Sequence, residues 1–130
     1  MELIAVLAGS ALGGMARFAV ADAIARRWGR RFPWGTLVVN ASGALAAGAC
    51  AAVLLDGFAP DPGSLAWPLA VIGFLGSYTT VSSFSLETLA LAHERAWRAA
   101  AANVLLSLVL PLAAAALGLL LGARLAGLLP

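Results

Sequence analysis

The sequence predicts an all-α integral membrane protein with four transmembrane helices, the third of them broken near the membrane midplane. Three observations point there. Of the 130 residues, 62% are hydrophobic and only 11% are charged, whereas a soluble domain carries about 25% charged residues. Mean hydropathy is +0.97. Four segments reach the roughly 20 apolar residues that cross a hydrocarbon core, and short polar connections separate them. The chain reads as a single domain, residues 1–130.

The first span runs from Leu3 to about Ala25, with Arg17 and Asp22 in its second half. The second runs from Trp34 to Leu55, with Pro33 as its expected first helical residue. The third runs from about Leu65 to Leu91, and the fourth from about Trp97 to Leu121 with a kink expected at Pro111. Arg26, Arg27, Arg30 and Arg31 fill the first connection. Asp56 to Gly63, with two prolines, forms the second, and His93, Glu94, Arg95 and Arg98 mark the third. Trp28, Trp34, Trp67 and Trp97 all fall near span ends, as interfacial anchors do.

Every basic side chain is Arg. The first and third connections hold six of them and the opposite side Arg124 alone. That asymmetry orients a membrane protein, with the first and third connections cytoplasmic, and does not describe a nucleic-acid surface. Cys50 lies alone in an apolar run, which excludes an intrachain disulfide. The N-terminus, with Glu2 and no basic stretch, lacks a cleavable signal pattern. No Ser/His/Asp set, paired carboxylates or phosphate loop is present, so no enzyme is expected.

The third span is the most informative. Gly73 to Glu87 reads Gly-Phe-Leu-Gly-Ser-Tyr-Thr-Thr-Val-Ser-Ser-Phe-Ser-Leu-Glu. No charge occurs from Ser64 to Leu86, yet the middle holds two glycines and a dense run of hydroxyls. Interrupted backbone at that depth survives only inside protein or along a wet path, and such breaks commonly build small-ion sites. Thr80, Ser82 and Ser83 would offer hydroxyl donors that bring no full charge, which suits binding that must also release. Phe84 could present a partly positive ring edge to an anion, although packing is the simpler role.

Helical stripes supply the rest. Thr36, Asn40, Gly43 and Ala47 share one face of the second span. An unpaired amide facing lipid would cost roughly 2–7 kcal/mol, so Asn40 faces protein or a water-lined path. It serves either an interhelical hydrogen bond or an ion contact. Gly9, Gly13 and Arg17 form a stripe on the first span, while Gly118 and Gly122 form a small-residue pair on the fourth, both packing signals. Asn103 and Ser107 extend a polar face toward Pro111. Arg17 must snorkel, pair or face an aqueous entrance.

Taken together, Gly14-Met15-Ala16-Arg17-Phe18, Gly35 to Gly43 around Asn40, and Gly73 to Glu87 resemble the segments of the small fluoride channels called Fluc or CrcB. The resemblance covers essentially the whole chain. It implies an antiparallel, dual-topology dimer in the cell inner (plasma) membrane that exports cytoplasmic fluoride passively and protects against fluoride toxicity. It also implies a fluoride pathway through Asn40, Phe84, Thr80, Val81, Ser82, Ser83 and Ser107, with Arg17 toward an aqueous vestibule. A structural sodium ion (Na+) would be held at the dimer interface by the Gly76 and Thr79 carbonyls. Val81 departs from the family, which usually has a pore phenylalanine there. With the Arg asymmetry, that keeps a heterodimer with an oppositely oriented homologue beside the homodimer. Two other functions compete: a small four-helix multidrug or cation exporter, which needs a membrane-embedded carboxylate in its first span, and a non-transporting membrane assembly subunit.

Overall fold

A computed structural model describes residues 1–55 and 64–127, all of them helix or short turns. Helix α1 spans Glu2–Trp28 and α2 spans Trp34–Leu55. The third span has three pieces: a π-helical segment, Pro68–Leu75, the single turn α3, Gly76–Tyr78, and helix α4, Ser82–His93. Helix α5 spans Trp97–Ala126. Among the described residues, four stretches are thus long and apolar enough to cross a membrane. The expected second connection lies outside the described residues.

The ends of these elements have local causes. Gly29, at φ 86, closes α1 with its N–H on the Ala25 carbonyl, a backbone conformation that costs glycine little. Pro33 falls just before α2 rather than inside it, and its carbonyl receives the Leu37 N–H at 3.2 Å. Arg95 takes φ 58 after α4, where the Ala96 N–H returns to the Leu91 carbonyl at 2.9 Å. Trp28 ends α1 and Trp34 begins α2, and their rings meet edge to face at 5.8 Å. Helix α5 runs through Pro111 without a break.

Backbone approach, more than side-chain burial, joins the spans. A Cβ added at Gly9 would collide with the Leu69 carbonyl, and one at Gly13 with that of Phe74. Gly73 faces the Val6 carbonyl in return, so α1 lies directly on the π-helical segment. Helices α2 and α5 meet the same way: Gly48 faces the Ala115 carbonyl, Gly118 that of Leu45, and Gly122 that of Ala49. The buried apolar core is correspondingly small, with Ala5, Leu37, Val39, Ala52, Leu91 and Ala100. Leu3, Ile4, Leu7, Leu105, Leu108, Leu112 and Leu120 stand exposed. Lipid tails are as apolar as these side chains, so close packing rather than hydrophobic burial must hold such helices together.

Gly48→Leu should therefore lower the thermal stability of the purified protein in detergent by about 1–3 kcal/mol, read as an earlier loss of the monodisperse species. Gly14, whose added Cβ would meet nothing within 4 Å, should accept Ala without loss.

Candidate functional site

The last helical bond before the break runs from the Thr79 N–H to the Leu75 carbonyl at 3.2 Å, Thr79 itself is extended at φ −80, ψ 158, and the helix resumes at Ser82. In a continuous helix the Thr80 N–H would donate to the Gly76 carbonyl. Here it donates to Asn40 Oδ1 at 2.8 Å, while Asn40 Nδ2 donates to the Thr80 carbonyl at 2.8 Å. The side-chain amide of α2 thus pairs with both polar atoms of one backbone residue. Gly43, one turn on from Asn40, makes the approach possible, because a Cβ there would overlap the Thr79 methyl group.

The Thr79 carbonyl loses its helical donor too. The Ser83 N–H goes instead to Thr80 Oγ1 at 3.2 Å, the hydroxyl cap that commonly starts a helix. Thr80 Oγ1 also lies 3.1 Å from Ser82 Oγ and 3.2 Å from Ser83 Oγ. Thr80 is buried, Ser83 half-buried and Ser82 exposed.

One turn along both helices the seam continues. Thr36 Oγ1 donates to Glu87 Oε1 at 2.8 Å, while Glu87 Oε2 is buried with no partner among the described residues. On the other flank of α4, Asn103 (1% exposed) donates through Nδ2 to Thr88 Oγ1 at 2.8 Å. Thr88 Oγ1 donates in turn to the Phe84 carbonyl at 2.7 Å. Phe84 is half-buried.

A groove of about 640 Å³ opens beside the break, lined by Asn40, Gly43, Gly76, Thr80, Val81 and Ser107 among others. Val81 is 75% exposed on its rim. Ser107 Oγ is buried without a hydrogen-bond partner among the described residues, and Pro111 has no N–H to return to the Ser107 carbonyl. Asn40 Nδ2 carries two hydrogens, of which the Thr80 carbonyl takes one. Arg17 stands apart on α1, half-buried and without an ion pair among the described residues.

The break thus brings together Asn40, Thr80, Ser82, Ser83, Val81 and Ser107, beside Gly76 and Thr79, and leaves Arg17 apart. Thr88 was not singled out by sequence reasoning; Thr36 was, on the Asn40 face, and Glu87, at the end of the third-span motif, but not their pairing. The fixed four-residue spacings of Thr36 to Asn40 and Ser83 to Glu87 were the available signal. The apposition of the two stripes was not.

These features define a small multi-pass helical membrane protein with a polar seam between its spans. Comparison with known proteins makes the class specific: residues 4–119 match the family described as CrcB-like protein, Camphor Resistance (CrcB), and the chain belongs to it. It is 47% identical over 130 residues to the Fluoride-specific ion channel FluC 2 of Bradyrhizobium diazoefficiens, covering 96% of this chain and 91% of that one. Against the FluC 2 of Rhodopseudomonas palustris it is 51% identical over 116 residues, 89% and 88% of the two chains. A FluC of Solibacter usitatus is 43% identical over 125 residues, 95% of this chain and the whole of that one.

Asn40→Asp should unsettle the break. A carboxylate keeps an acceptor for the Thr80 N–H but sets an oxygen against the Thr80 carbonyl, and leaving such a group unsatisfied costs about 1–3 kcal/mol. Thermal unfolding in detergent should report a loss of that order, while Asn40→Gln, if it can reach, should recover part of it.

Proposed function

We propose that the chain is the subunit of a dimeric, fluoride-selective channel that lets cytoplasmic fluoride leave passively across the inner membrane. The observation that carries this reading is the second amide hydrogen of Asn40, unspent among the described residues in a groove that Ser107, itself buried and without a hydroxyl partner there, also lines. A small anion needs hydrogen-bond donors to replace its water, and neutral donors bind it without trapping it. The family membership and the names of the relatives point the same way.

In this reading Asn40, Thr80, Ser82, Ser83 and Ser107 hand the ion along the seam, and Phe84 turns a ring edge toward it. The Asn103–Thr88 chain to the Phe84 carbonyl would hold that turn of α4 in place. Arg17 would serve an aqueous vestibule. The Gly76 and Thr79 carbonyls, whose helical donors are diverted to Asn40 and Thr80, suit a sodium ion, since a hard cation prefers oxygen ligands. Bound between two subunits, it would satisfy carbonyls that hydrocarbon cannot. A Cβ at exposed Gly76 would meet nothing within 4 Å inside the subunit, which leaves room for a partner there.

The antiparallel homodimer is the simplest assembly. The six-to-one Arg asymmetry and the aliphatic Val81 favour a second one, in which an oppositely oriented homologue supplies the missing aromatic edge.

Purified protein in liposomes should release fluoride rapidly and chloride at least about a hundredfold more slowly. Equal release of both anions, or none of fluoride, would remove the assignment. Exchanging sodium for a bulky organic cation should lower flux and dimer stability together. Separately, Val81→Phe should raise fluoride throughput if each subunit must offer an aromatic edge. Unchanged, strong flux in the unmodified homodimer would show that the aliphatic residue suffices and would retire the heterodimer.

A further inference from the structure

We propose that Arg30, held in place by Asp22, captures the anion at the Arg-rich end of the polar seam, with Asp22 as its positioning residue. This inference rests on the channel reading above. Asp22 Oδ1 accepts Arg30 Nη2 at 2.9 Å, and Asp22 Oδ2 accepts Arg26 Nη1. Two arginines thus share one carboxylate, Arg26 from the last turns of α1 and Arg30 from beyond its end. Gly29, with its positive φ, lies between Arg26 and Arg30 at the turn out of that helix.

Arg30 borders two cavities, of about 700 and about 340 Å³, and both also touch Pro33 and Glu87. Glu87 is bonded to Thr36 on the seam, so both cavities open onto the seam's outer end. Asp22 lines the smaller one and Arg31 the larger. Exposed ion pairs contribute little to stability, and the Arg26 and Arg30 side chains are 67% and 75% exposed. Stability therefore does not explain a doubly bridged carboxylate here. Geometry does: the bridge restrains a guanidinium beside the entrance.

Glu87 lines both cavities, and its carboxyl, bonded through Oε1 to Thr36, brings no positive charge to meet an arriving anion. A fixed cation at the rim offsets this and raises the local anion concentration. Arg27, on the same stretch of chain, lines neither cavity and forms no ion pair among the described residues. It supplies the matched control.

The test is fluoride efflux from liposomes containing the purified full chain, over a range of fluoride concentrations at low and high impermeant salt. Arg30→Gln should raise the half-saturating fluoride concentration about threefold at low salt, the effect of one unit charge some 7 Å from the ion in water. Maximal flux should be unchanged, and the difference should shrink at high salt. Arg27→Gln should match the unmodified protein. Asp22→Asn gives the decisive sign. Deleting a negative charge near an anion entrance should help by charge alone, whereas loss of positioning should weaken capture, and Asp22→Glu should restore it. Equal behaviour of Arg30→Gln and Arg27→Gln, or stronger capture by Asp22→Asn, overturns the proposal. No fluoride flux from the unmodified protein would instead overturn the channel reading itself.

Discussion

The pairing of the Asn40 amide with the Thr80 backbone is the interaction on which the rest of the molecule depends. Every backbone polar group inside hydrocarbon needs a partner, at several kcal/mol for each one left without. A helix can be interrupted there only if something supplies the lost donor and acceptor together. A side-chain amide supplies both without a charge, spaced like a peptide's own, and both are used at 2.8 Å. Once Thr80 is held from outside, its hydroxyl is free to restart the helix at Ser83. The Gly76 and Thr79 carbonyls then stand without helical donors as a direct consequence. The hydroxyl cluster and the freed carbonyls have one cause.

That pairing needs α2 within hydrogen-bond reach of the third span, and glycine provides the reach. Gly43 admits Thr79 and Tyr78 against α2, while Gly48, Gly118 and Gly122 seat α2 on α5. Gly9, Gly13 and Gly73 fix the π-helical segment to α1. The frame is built from backbone contact, which is short-ranged and unforgiving. A methyl group in the wrong place would move Asn40 by more than the tolerance of a hydrogen bond.

Much of this was legible beforehand, for reasons that can be named. Long uncharged runs and terminal tryptophans announce spans, because the bilayer leaves few alternatives. Their ends were less legible: α1 and α5 each run a few residues beyond the expected limits, since a helix can continue past the hydrocarbon. Pro111 also proved compatible with a continuous helix. The Thr36–Asn40–Gly43 stripe was visible, but its partner lies 40 residues away, and no local period encodes such a distance. The π-helical bonding of Pro68–Leu75 was likewise hidden, because residues that form it look like those of an ordinary apolar helix. The Asp22–Arg26 bridge had the favourable spacing of four. Arg30, eight residues on and beyond a turn, did not.

The distribution of charge then explains how such a seam could both attract and release an ion. Around the break every polar group is neutral: an amide, hydroxyls and carbonyls. No formally charged side chain lines the groove at the break among the described residues, whereas Glu87 lies one turn along α4 and the Asp22–Arg30 cluster sits beside the outer cavities. A full charge buried beside the break would bind an anion too tightly to let it leave, or repel it altogether, because low-dielectric surroundings magnify either effect. Arg30, its side chain mostly exposed at the outer end, is screened by salt and would act mainly on arrival. Neutral donors in the middle need only replace water. On the channel reading proposed above, a seam arranged this way would separate capture from passage, and only the first step would respond to salt.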